Sequence, residues 1–439
     1  MVTQAHCPPF DLWFSCRILD GYLLPFKNLG LNLMNGPLSH IRVLDLSRVL
    51  AGPWAAQNLA DLGANVIKIE RPGEGDDTRK WGPPYLKDRD GHETGETAYN
   101  IAANRNKRSV TIDLAKPEGA LLARKLALKS DILIENFRVG GAVKFGLGYD
   151  DLAVNNPGLI YCSITGFGQD GPYKDRGGYD FIIQAIGGLM SITGEPAEKG
   201  GGPQKVGLAV SDLFTGMYAT VALLAAVTHR ERTGEGQYID LALLDCTAAM
   251  LSMMATNYFI SGKSPVRMGN AHPNVTPYGL YDTADGNLVV AVGNDRQFAR
   301  LCDVLGLSEL ASDPRFISNA RRLANRTAMD AVLCTTIKQW DRKELQDALN
   351  GALVPCGAVN SISEVFDDPH IKHRGIKTTL RHPLSETVSL AGSPIRLSKT
   401  PVTYRRPPPL LGEHTEEVLS DDLGIEANEI ARLRSEAVI

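Results

Sequence analysis

The residues best suited to chemistry in this sequence are a glycine pair, a tyrosine and an aspartate at positions 177–180. A short apolar strand pattern at 159–164 and a glycine-rich loop precede them, and an apolar segment at 181–186 follows. Apolar neighbours can shield Asp180 from water, while glycines let another molecule approach the backbone. Asp180 is therefore a candidate nucleophile. Taken alone, it is better explained as a helix N-cap, because aspartate is favoured there.

Alternating strands and helices around this stretch would position it. Hydrophobic patterning predicts helices at 54–62 and 117–129 and strands at 41–46, 65–70, 109–114, 132–135 and 160–164. This alternation is typical of βαβ units in a parallel sheet. Such sheets bind ligands in the loops at the carboxyl ends of their strands. We therefore expect functional residues at Arg71, 136–138 and 165–168.

The remainder of the chain reads as helices and one hairpin. A strong turn signal, Asp285-Gly286, separates two short strand patterns. A long helix is expected from Ser211 to about Arg230. Further helices are expected at 245–259, 295–305, 318–338 and 342–350.

Composition narrows the class of protein. The chain has 439 residues, 43% hydrophobic and 22% charged, with a formal net charge of -4, which describes a globular protein of two to three domains. Without a long basic tract or a strongly positive charge balance, we expect no nucleic-acid partner. No apolar stretch is read as approaching the roughly 20 residues that span a bilayer, so no membrane partner is expected. The seven cysteines show no CxxC spacing, which favours a reducing compartment and argues against a thiolate metal site.

Several common catalytic and cofactor motifs are missing from the sequence. The turn between the first strand and the first helix, 47–53, lacks GxGxxG, and the sequence contains no GxSxG elbow and no GxxxxGK[ST]. His370 and His373 share a helix face, but without acidic or thiolate partners in sequence they are expected to be surface residues. We therefore expect no metal site and no permanently bound cofactor.

Two polar segments leave alternatives open. The basic run at 104–108 is either a phosphate site or a solvated turn. His272, in a polar loop, either contacts a substrate or has a structural role.

Residues 1–33 follow no clear period and lack the three regions of a signal peptide. A regular pattern begins after Met34. We expect residues 1–33 to be a non-native or disordered extension, with Met34 as the natural start.

Seven stretches, taken together and in order, resemble the class III CoA-transferases, the CaiB/BaiF family. They cover nearly everything from residue 40 onward, and each is weakly specific by itself. They are RVLDLSRVLAGP (42–53), GANVIKIERPG (63–73), NRNKRS (104–109), DILIENF (131–137), the opening stretch (161–180), RTGEGQ (232–237) and PLLGEHT (409–415).

The resemblance implies an α/β fold with a Rossmann-like large domain, a smaller α+β domain and an interlocked homodimer. On this basis we expect the first part of the large domain at 34–229, the small domain with linkers at 230–345 and the return segment at 346–439. It also implies that Asp180 is the nucleophile, forming a mixed anhydride with the acyl group and then an aspartyl-CoA thioester.

Coenzyme A, or acyl-CoA, enters as a co-substrate in this family. Carried over by position, the expected CoA contacts are Val49, Arg71, Ile112, Asp113, Leu114, Ala115, Asn136, Phe137, Arg138, Lys144, Thr165, Gly166, Phe167 and Gly168. Arg71 and Lys144 are the expected phosphate partners.

Two departures from related activities narrow the expectation. Family racemases carry a histidine immediately before the aspartate, where this chain has Tyr179, although Asp212 matches their second aspartate. Tyrosine ionises near pH 10 and is a poor base at neutral pH. Formyl-CoA transferases carry a glycine run where this chain has 268–273, which argues against formyl or oxalate specificity.

The motifs at 70–79, 81–84, 161–166 and 406–412 most resemble the branch that takes CoA from succinyl-CoA to a short dicarboxylate such as glutarate. Arg105 and Arg108 are candidates for the distal carboxylate. We expect a cytoplasmic enzyme, or a mitochondrial one if the chain is eukaryotic. A 2-methylacyl-CoA racemase, a carnitine-type CoA enzyme and a non-catalytic acyl-CoA-binding relative remain alternatives.

Overall fold

The first half of the described chain alternates strands and helices, as its sequence predicts. The structure, a computed structural model, describes residues 36–439, so the expectation for 1–33 lies outside the described residues. In this half the elements are β1 (Arg42–Asp45), α1 (Ala51–Asp61), β2 (Asn65–Glu70), β3 (Tyr85–Lys87), β4 (Glu93–Thr97), α2 (Ala98–Ala102), β5 (Lys107–Thr111), α3 (Pro117–Leu128), β6 (Ile132–Glu135), α4 (Tyr149–Ala153), β7 (Ile160–Thr165), α5 (Asp180–Ile186), α6 (Leu189–Ile192), α7 (Val210–Thr233) and β8 (Gln237–Ala242).

The second half is mostly helical. Its elements are α8 (Leu243–Met250), α9 (Ser252–Ser261), β9 (Tyr278–Asp282), β10 (Asn287–Ala291), α10 (Asp295–Val304), α11 (Ser308–Ser312), α12 (Asn319–Ala324), α13 (Arg326–Ile337), α14 (Arg342–Gly351), β11 (Cys356–Ala358), α15 (Ile362–Asp367), α16 (Pro369–Arg374), β12 (Lys377–His382), β13 (Ser385–Ala391), α17 (Thr415–Asp421) and α18 (Ala427–Ser435).

Six strands form a parallel sheet in the spatial order β5-β2-β1-β6-β7-β8. Counted along the chain, these strands lie in the order 3-2-1-4-5-6, so the winding reverses between β1 and β6. The carboxyl ends of strands beside such a switch point form a crevice that binds ligands. The α/β class with a parallel sheet, predicted from the sequence, is confirmed.

Hydrophobic cores cover both faces of this sheet. Val43 of β1 belongs to one core and its neighbour Leu44 to the other, because successive side chains of a strand point to opposite faces. Helices α1 and α7 cover the first face. The second face is covered by α3 and by the C-terminal helices, from which Val418 and Leu433 are buried. The chain end therefore packs against the sheet formed by its first half.

A separate core lies in the second half. It is built on the antiparallel sheet β11-β10-β9 and on α10, α13 and α14. The hairpin predicted at Asp285-Gly286 is confirmed, since β9 and β10 pair antiparallel on either side of it. The helix predicted at 245–259 is divided, with α8 and α9 bent by 70°. The helix predicted at 318–338 is also divided, because α12 ends at its C-cap residue, Asn325. The side-chain amide of Asn325 donates to the carbonyl of Arg321 at 2.9 Å.

Helix α7 is more apolar than was predicted from the sequence. An 18-residue window of it has mean hydropathy 1.6, so by length and composition alone it is able to cross a membrane. The statement that no stretch approaches that length was therefore wrong for this helix. Half of the window is buried, and Ala219 and Leu223 are fully enclosed in the core shared with α1. This packing is that of a core helix.

Candidate functional site

Asp180 is the first residue of α5, with Tyr179 at the N-cap position. Its carboxylate does not cap α5. Instead Oδ1 accepts hydrogen bonds from the backbone N–H groups of Ser211 (2.8 Å) and Asp212 (3.3 Å). The interpretation of Asp180 as a cap of its own helix was therefore wrong. It binds the N-terminus of a different helix, α7.

The position of Asp180 stabilises its negative charge. The first N–H groups of a helix have no partner within the helix, and the helix dipole places partial positive charge there. The 24-residue helix α7 directs two such groups at Oδ1. The other oxygen, Oδ2, accepts from Nε2 of Gln184 at 2.6 Å. Three donors thus orient the half-buried carboxylate.

Gln184 was missed by the sequence reading, although a signal was present. It lies four residues after Asp180, which places both side chains on one face of α5. The residue is fully buried, and its Oε1 accepts from the backbone N–H of Val206 at 2.9 Å. Gln184 therefore links Asp180 to the loop before α7.

Two glycines bring Asp180 to the carboxyl end of β7. A Cβ placed on Gly178 would lie 2.6 Å from Cα of Gly166, and one on Gly166 would lie 2.7 Å from Cα of Gly178. Real Cβ atoms do not approach backbone this closely. The loop after β7 therefore packs backbone to backbone on the loop that carries Asp180, and neither position accepts a side chain without displacement.

A second carboxyl group lies beside the first. Asp212 has an exposed fraction of 9%. Burial, together with the negative charge of Asp180, raises the pKa of Asp212 to about 7. Burial and the charges of Asp212 and Asp180 also raise the pKa of the Tyr99 phenol to about 12, so Tyr99 stays protonated. The site therefore contains groups that retain protons at neutral pH.

Val49 occupies a strained backbone position at the start of α1, with φ of +70°. This left-handed region is unfavourable for a β-branched residue and is maintained by surrounding structure. The N–H of Val49 lies 3.2 Å from both carboxylate oxygens of buried Asp76. Burial alone would raise the pKa of Asp76, but Lys68 at 2.9 Å and the hydroxyl and N–H of Thr78 lower it to about 2. An ionised, buried aspartate thus fixes the turn after β1.

A cavity at the switch point, here called the central cavity, lies against Tyr179 and Asp212. Six of the predicted CoA contacts line it, namely Val49, Asn136, Phe137, Arg138, Thr165 and Gly166. An outer cavity shares Arg48, Asp77, Phe137 and Arg138 with it. Among the predicted contacts, the outer cavity is lined by Arg71, Ile112, Asp113, Leu114, Ala115, Phe137, Arg138 and Lys144. The structure thus brings most of the predicted CoA contacts into two adjoining cavities.

Two predicted CoA contacts lie outside both cavities. Phe167 packs on the core and meets the ring of Tyr173 edge to face, with centroids 5.7 Å apart. Gly168 donates its N–H to Oγ1 of Thr165 at 2.9 Å, which shapes the loop after β7. In this chain both residues support the loop without facing the cavities.

Three further cations line the central cavity and were missed in the sequence reading. They are Arg48, Lys174 and Arg176. The guanidinium of Arg176 lies over the ring of Tyr173, 3.8 Å from its centroid. Arg48 pairs with Asp77 at 3.1 Å. Their positions in loops after β1 and β7 were the available signal, because loops at carboxyl strand ends form the site.

Hydrogen bonds of Glu135 and Asn136 hold the loop after β6 in place. Glu135 accepts from the N–H of Phe137 at 2.7 Å and from the hydroxyl of Ser163. Burial raises the pKa of Glu135 to about 7, although these two donors act to lower it. Asn136 bonds both the N–H (2.9 Å) and the carbonyl (2.8 Å) of Arg48. The loops after β1 and β6 are therefore joined at the edge of the central cavity.

A third, apolar cavity adjoins the central cavity. Asp180 lines it, and Val49, Leu50, Tyr179 and Asp212 border both it and the central cavity. Its remaining walls are mainly aromatic and aliphatic, including Trp54, Trp81, Tyr85, Tyr99, Phe181, Leu208, Leu213, Val388 and Leu390. Asp180 thus lines a cavity of mainly hydrocarbon, and its neighbour Tyr179 and its partner Asp212 belong to the wall shared with the cavity lined by cations.

Arg105 and Arg108, the candidates for a distal carboxylate, are engaged elsewhere. Arg105 is 1% exposed and bonds both carboxylate oxygens of Asp61 and the carbonyl of Ala391. Arg108 pairs with Glu417 at 3.1 Å and Asp422 at 2.9 Å. The side chains of 104–108 are all buried, so the interpretation of this run as a solvated turn was wrong. Neither arginine lines any of the three cavities, so neither is placed to contact a substrate there.

His272 lies in the loop before β9, away from the three cavities. Its ring packs near Tyr278, with centroids 5.1 Å apart. Nδ1 accepts from the N–H of Asn274 at 3.1 Å, and its carbonyl accepts from Arg326 at 2.6 Å. Within this chain these contacts are structural.

Possible metal ligands lie apart from these cavities. His370 and His373 are exposed on α16, as predicted. Asp88, Asp90 and His92, at the turn between β3 and β4, bring three potential ligand atoms within 4.8 Å of one another. This group is largely exposed and lines none of the three cavities.

Comparison with known proteins gives the arrangement a family. The sequence model of CoA-transferase family III matches residues 38–415. The chain is 50% identical over 385 residues to a succinate–glutarate CoA-transferase of Agrobacterium fabrum, covering 88% of this chain and 95% of that protein. It is 40% identical over 403 residues to a succinyl-CoA:glutarate CoA-transferase of Homo sapiens, covering 92% and 90%.

A solved structure agrees with the sequence matches. The crystal structure of a CaiB/BaiF family protein from Brucella suis matches with a TM-score of 0.78 at 48% identity, covering 88% of this chain and 99% of that one. The resemblance seen in the sequence is confirmed. The chain belongs to CoA-transferase family III and is an enzyme that transfers coenzyme A.

Proposed function

We propose that this enzyme transfers CoA from succinyl-CoA to glutarate or a similar short dicarboxylate, with Asp180 as the covalent nucleophile. The observation that carries the proposal is the position of Asp180 in the apolar cavity, beside the wall that Tyr179 and Asp212 share with the central cavity, with three donors on its carboxylate. The substrates named for the Agrobacterium fabrum and Homo sapiens relatives support the choice of acids.

Each covalent step exchanges one acyl bond for another. An oxygen of Asp180 attacks the thioester carbonyl of succinyl-CoA, the C–S bond breaks, and a mixed anhydride and CoA thiolate form. The thiolate then attacks the side-chain carbonyl of Asp180, which releases succinate and leaves an aspartyl-CoA thioester. Glutarate repeats both steps in reverse, giving glutaryl-CoA and free Asp180. This series of steps needs no net proton and conserves the activation of the thioester.

The outer and apolar cavities supply what these steps require. Phosphates of CoA are bound by arginine and lysine side chains, and Arg48, Arg71, Arg138 and Lys144 line the outer cavity. The acyl chain lies in the apolar cavity. The backbone donors at the start of α7 stabilise negative charge that develops on the oxygens around Asp180.

Replacement of Asp180 tests the proposal directly. Asp180→Ala removes the nucleophile, so we expect CoA transfer to vanish while acyl-CoA binding persists. Asp175→Ala, in the same exposed loop but lining none of the three cavities, is the matched control and should retain activity. Mass spectrometry of wild-type enzyme incubated with succinyl-CoA should show an acyl or CoA adduct on the peptide containing Asp180. Transfer activity retained by Asp180→Ala would overturn the assignment.

We further propose a Rossmann-like large domain and an interlocked homodimer. The 3-2-1-4-5-6 strand order supports the first. Apolar side chains exposed on α5, α7 and α9 support a second copy, since monomers rarely expose large apolar patches. They include Ile182, Ile186, Val221, Phe259 and Ile260, with exposed fractions from 47% to 83%. Light scattering across a hundredfold dilution tests this, and a monomer at all concentrations would contradict it.

A reducing compartment, cytoplasmic or mitochondrial, is also proposed. All five cysteines within residues 36–439 are free thiols, and three of them are buried. Free buried thiols are common in proteins of reducing compartments.

A further inference from the structure

The apolar cavity contains one basic side chain among the described residues that line it. This is Lys205, in the loop before α7. The other titratable groups that line the cavity are all acids: Asp180, Asp212 and the phenols Tyr85, Tyr99 and Tyr179. Among the described lining residues, Lys205 is therefore the one cation that the cavity offers to an anionic ligand.

A dicarboxylic acyl group, unlike a monocarboxylic one, must bring a negative charge into the apolar cavity. The distal carboxylate enters a cavity that is already lined by Asp180 and Asp212. Asp212 has a pKa of about 7, so it carries part of a negative charge at neutral pH. Transfer of an unpaired carboxylate into such surroundings is costly. A hydrogen-bonded cation removes this cost, whereas a monocarboxylate with the same chain length needs no cation.

Lys205 is available for that role. Its Nζ donates to the carbonyl of the adjacent residue, Val206, at 3.1 Å. Within residues 36–439 it forms no ion pair, in contrast to Lys68, Arg79 and Arg105. The side chain is exposed and flexible, so its ammonium can turn toward a ligand.

The loop that carries Lys205 is held in register with the nucleophile. Gln184 accepts from the N–H of Val206 at 2.9 Å and donates to Asp180 at 2.6 Å. Two hydrogen bonds through one fully buried side chain therefore connect Asp180 to the residue next to Lys205. These hydrogen bonds fix the backbone next to Lys205 relative to Asp180.

We propose that Lys205 binds the distal carboxylate of the acyl group whose other carboxyl is joined to Asp180. The proposal rests on the proposed function and adds the residue that selects dicarboxylic over monocarboxylic acids. Lys205 is a specificity-determining residue that contacts substrate and takes no part in bond formation.

The test compares two acceptors of equal length, glutarate and pentanoate, which differ only in the distal carboxylate. Lys205→Met keeps the apolar stem and removes the charge. Because a hydrogen bond to a charged group is worth roughly one to two factors of ten, kcat/KM for glutarate should fall about 10- to 100-fold. The kcat/KM for pentanoate should stay within about threefold, because in a ping-pong scheme this constant reports the acceptor half-reaction alone and is independent of the succinyl group of the donor. Lys205→Arg should restore most of the preference for glutarate. Lys263→Met, an exposed lysine outside the cavity, is the control.

The outcomes separate this inference from the proposed function. Equal losses with both acceptors, or no loss with glutarate, overturn the role of Lys205 while the covalent mechanism stands. Wild-type enzyme that uses pentanoate as well as glutarate also overturns it. Absence of any adduct on Asp180 and retained transfer by Asp180→Ala would instead overturn the proposed function itself. Circular dichroism and thermal unfolding of Lys205→Met should match wild type, because the residue is exposed.

Discussion

Asp212 lies directly beside Asp180, and its backbone N–H is 3.3 Å from Oδ1 of that residue. The same residue therefore contributes a donor that stabilises the carboxylate of Asp180 and a buried acid that disfavours a second negative charge. Its side chain borders both the central and the apolar cavity. The charge of Asp180 thus helps to keep the neighbouring Asp212 protonated.

We expect Asp212→Asn to change how stability depends on pH. The pKa of Asp212 in the folded protein, about 7, is raised above its ordinary value of 3.8. A raised pKa gives stability that is fully present below about pH 4 and is lost as pH rises through 7. The asparagine variant lacks this loss, so its melting temperature relative to wild type should rise from pH 4 to pH 8. The full effect corresponds to roughly 4 kcal/mol at most. A difference that does not vary with pH would contradict the assigned environment.

Gly178→Ala should lower activity sharply. The new Cβ would lie 2.6 Å from Cα of Gly166, so the loop bearing Asp180 must move. Displacement of a reacting group by about 1 Å can cost about a hundredfold in rate. Gly177→Ala is a matched control, because a Cβ there meets nothing within 4 Å. Steady-state kcat for both variants is the measurement, and equal activity of the two would show that the close contact does not position Asp180.

Arg71, 136–138 and 165–168 were expected at the site because they follow strands of a βαβ pattern, whereas the role of Asp180 and the other CoA contacts were predicted from the family resemblance. The partners of Asp180 could be predicted in neither way. Ser211 lies 31 residues further along the chain, and nothing local in the sequence indicates that the start of α7 meets the start of α5. Helix packing of this kind depends on tertiary contacts, which periodicity does not specify. Gln184 is the exception, since its spacing from Asp180 is local.

The basic run at 104–108 shows the same limit. Its cations are paired with carboxylates that are distant in sequence, such as Asp45 with Lys107 and Asp61 with Arg105. A sequence displays the charges and conceals their partners, so buried and solvated basic runs look alike. The apolar composition of α7 was also underestimated from the sequence. Polar residues are scattered along this helix, although it is largely buried on one side.

Arg105→Met should destabilise the protein without a specific effect on substrate use. It leaves Asp61 buried without its ion partner, and breaking a buried pair costs about 3–5 kcal/mol. Burial already raises the pKa of Asp61, which shows how poorly this site tolerates the charge. Urea unfolding measures the loss, with exposed Arg89→Met as the control. A variant of normal stability with a raised KM for glutarate alone would return Arg105 to the substrate site.

Lys144→Met should weaken acyl-CoA binding and leave the chemical steps intact. Lys144 is exposed, lines the outer cavity with Arg71 and Arg138, and lies away from Asp180. Loss of one exposed phosphate contact should raise KM for succinyl-CoA about tenfold, with kcat within about twofold. Because exposed charge pairs are screened by salt, the ratio of wild-type to variant KM should shrink as ionic strength rises from 0.01 to 0.5 M. Lys125→Met, an exposed lysine on α3 outside the cavities, should change neither constant. A fall in kcat without a change in KM would place Lys144 at the reacting groups and not at the phosphates of CoA.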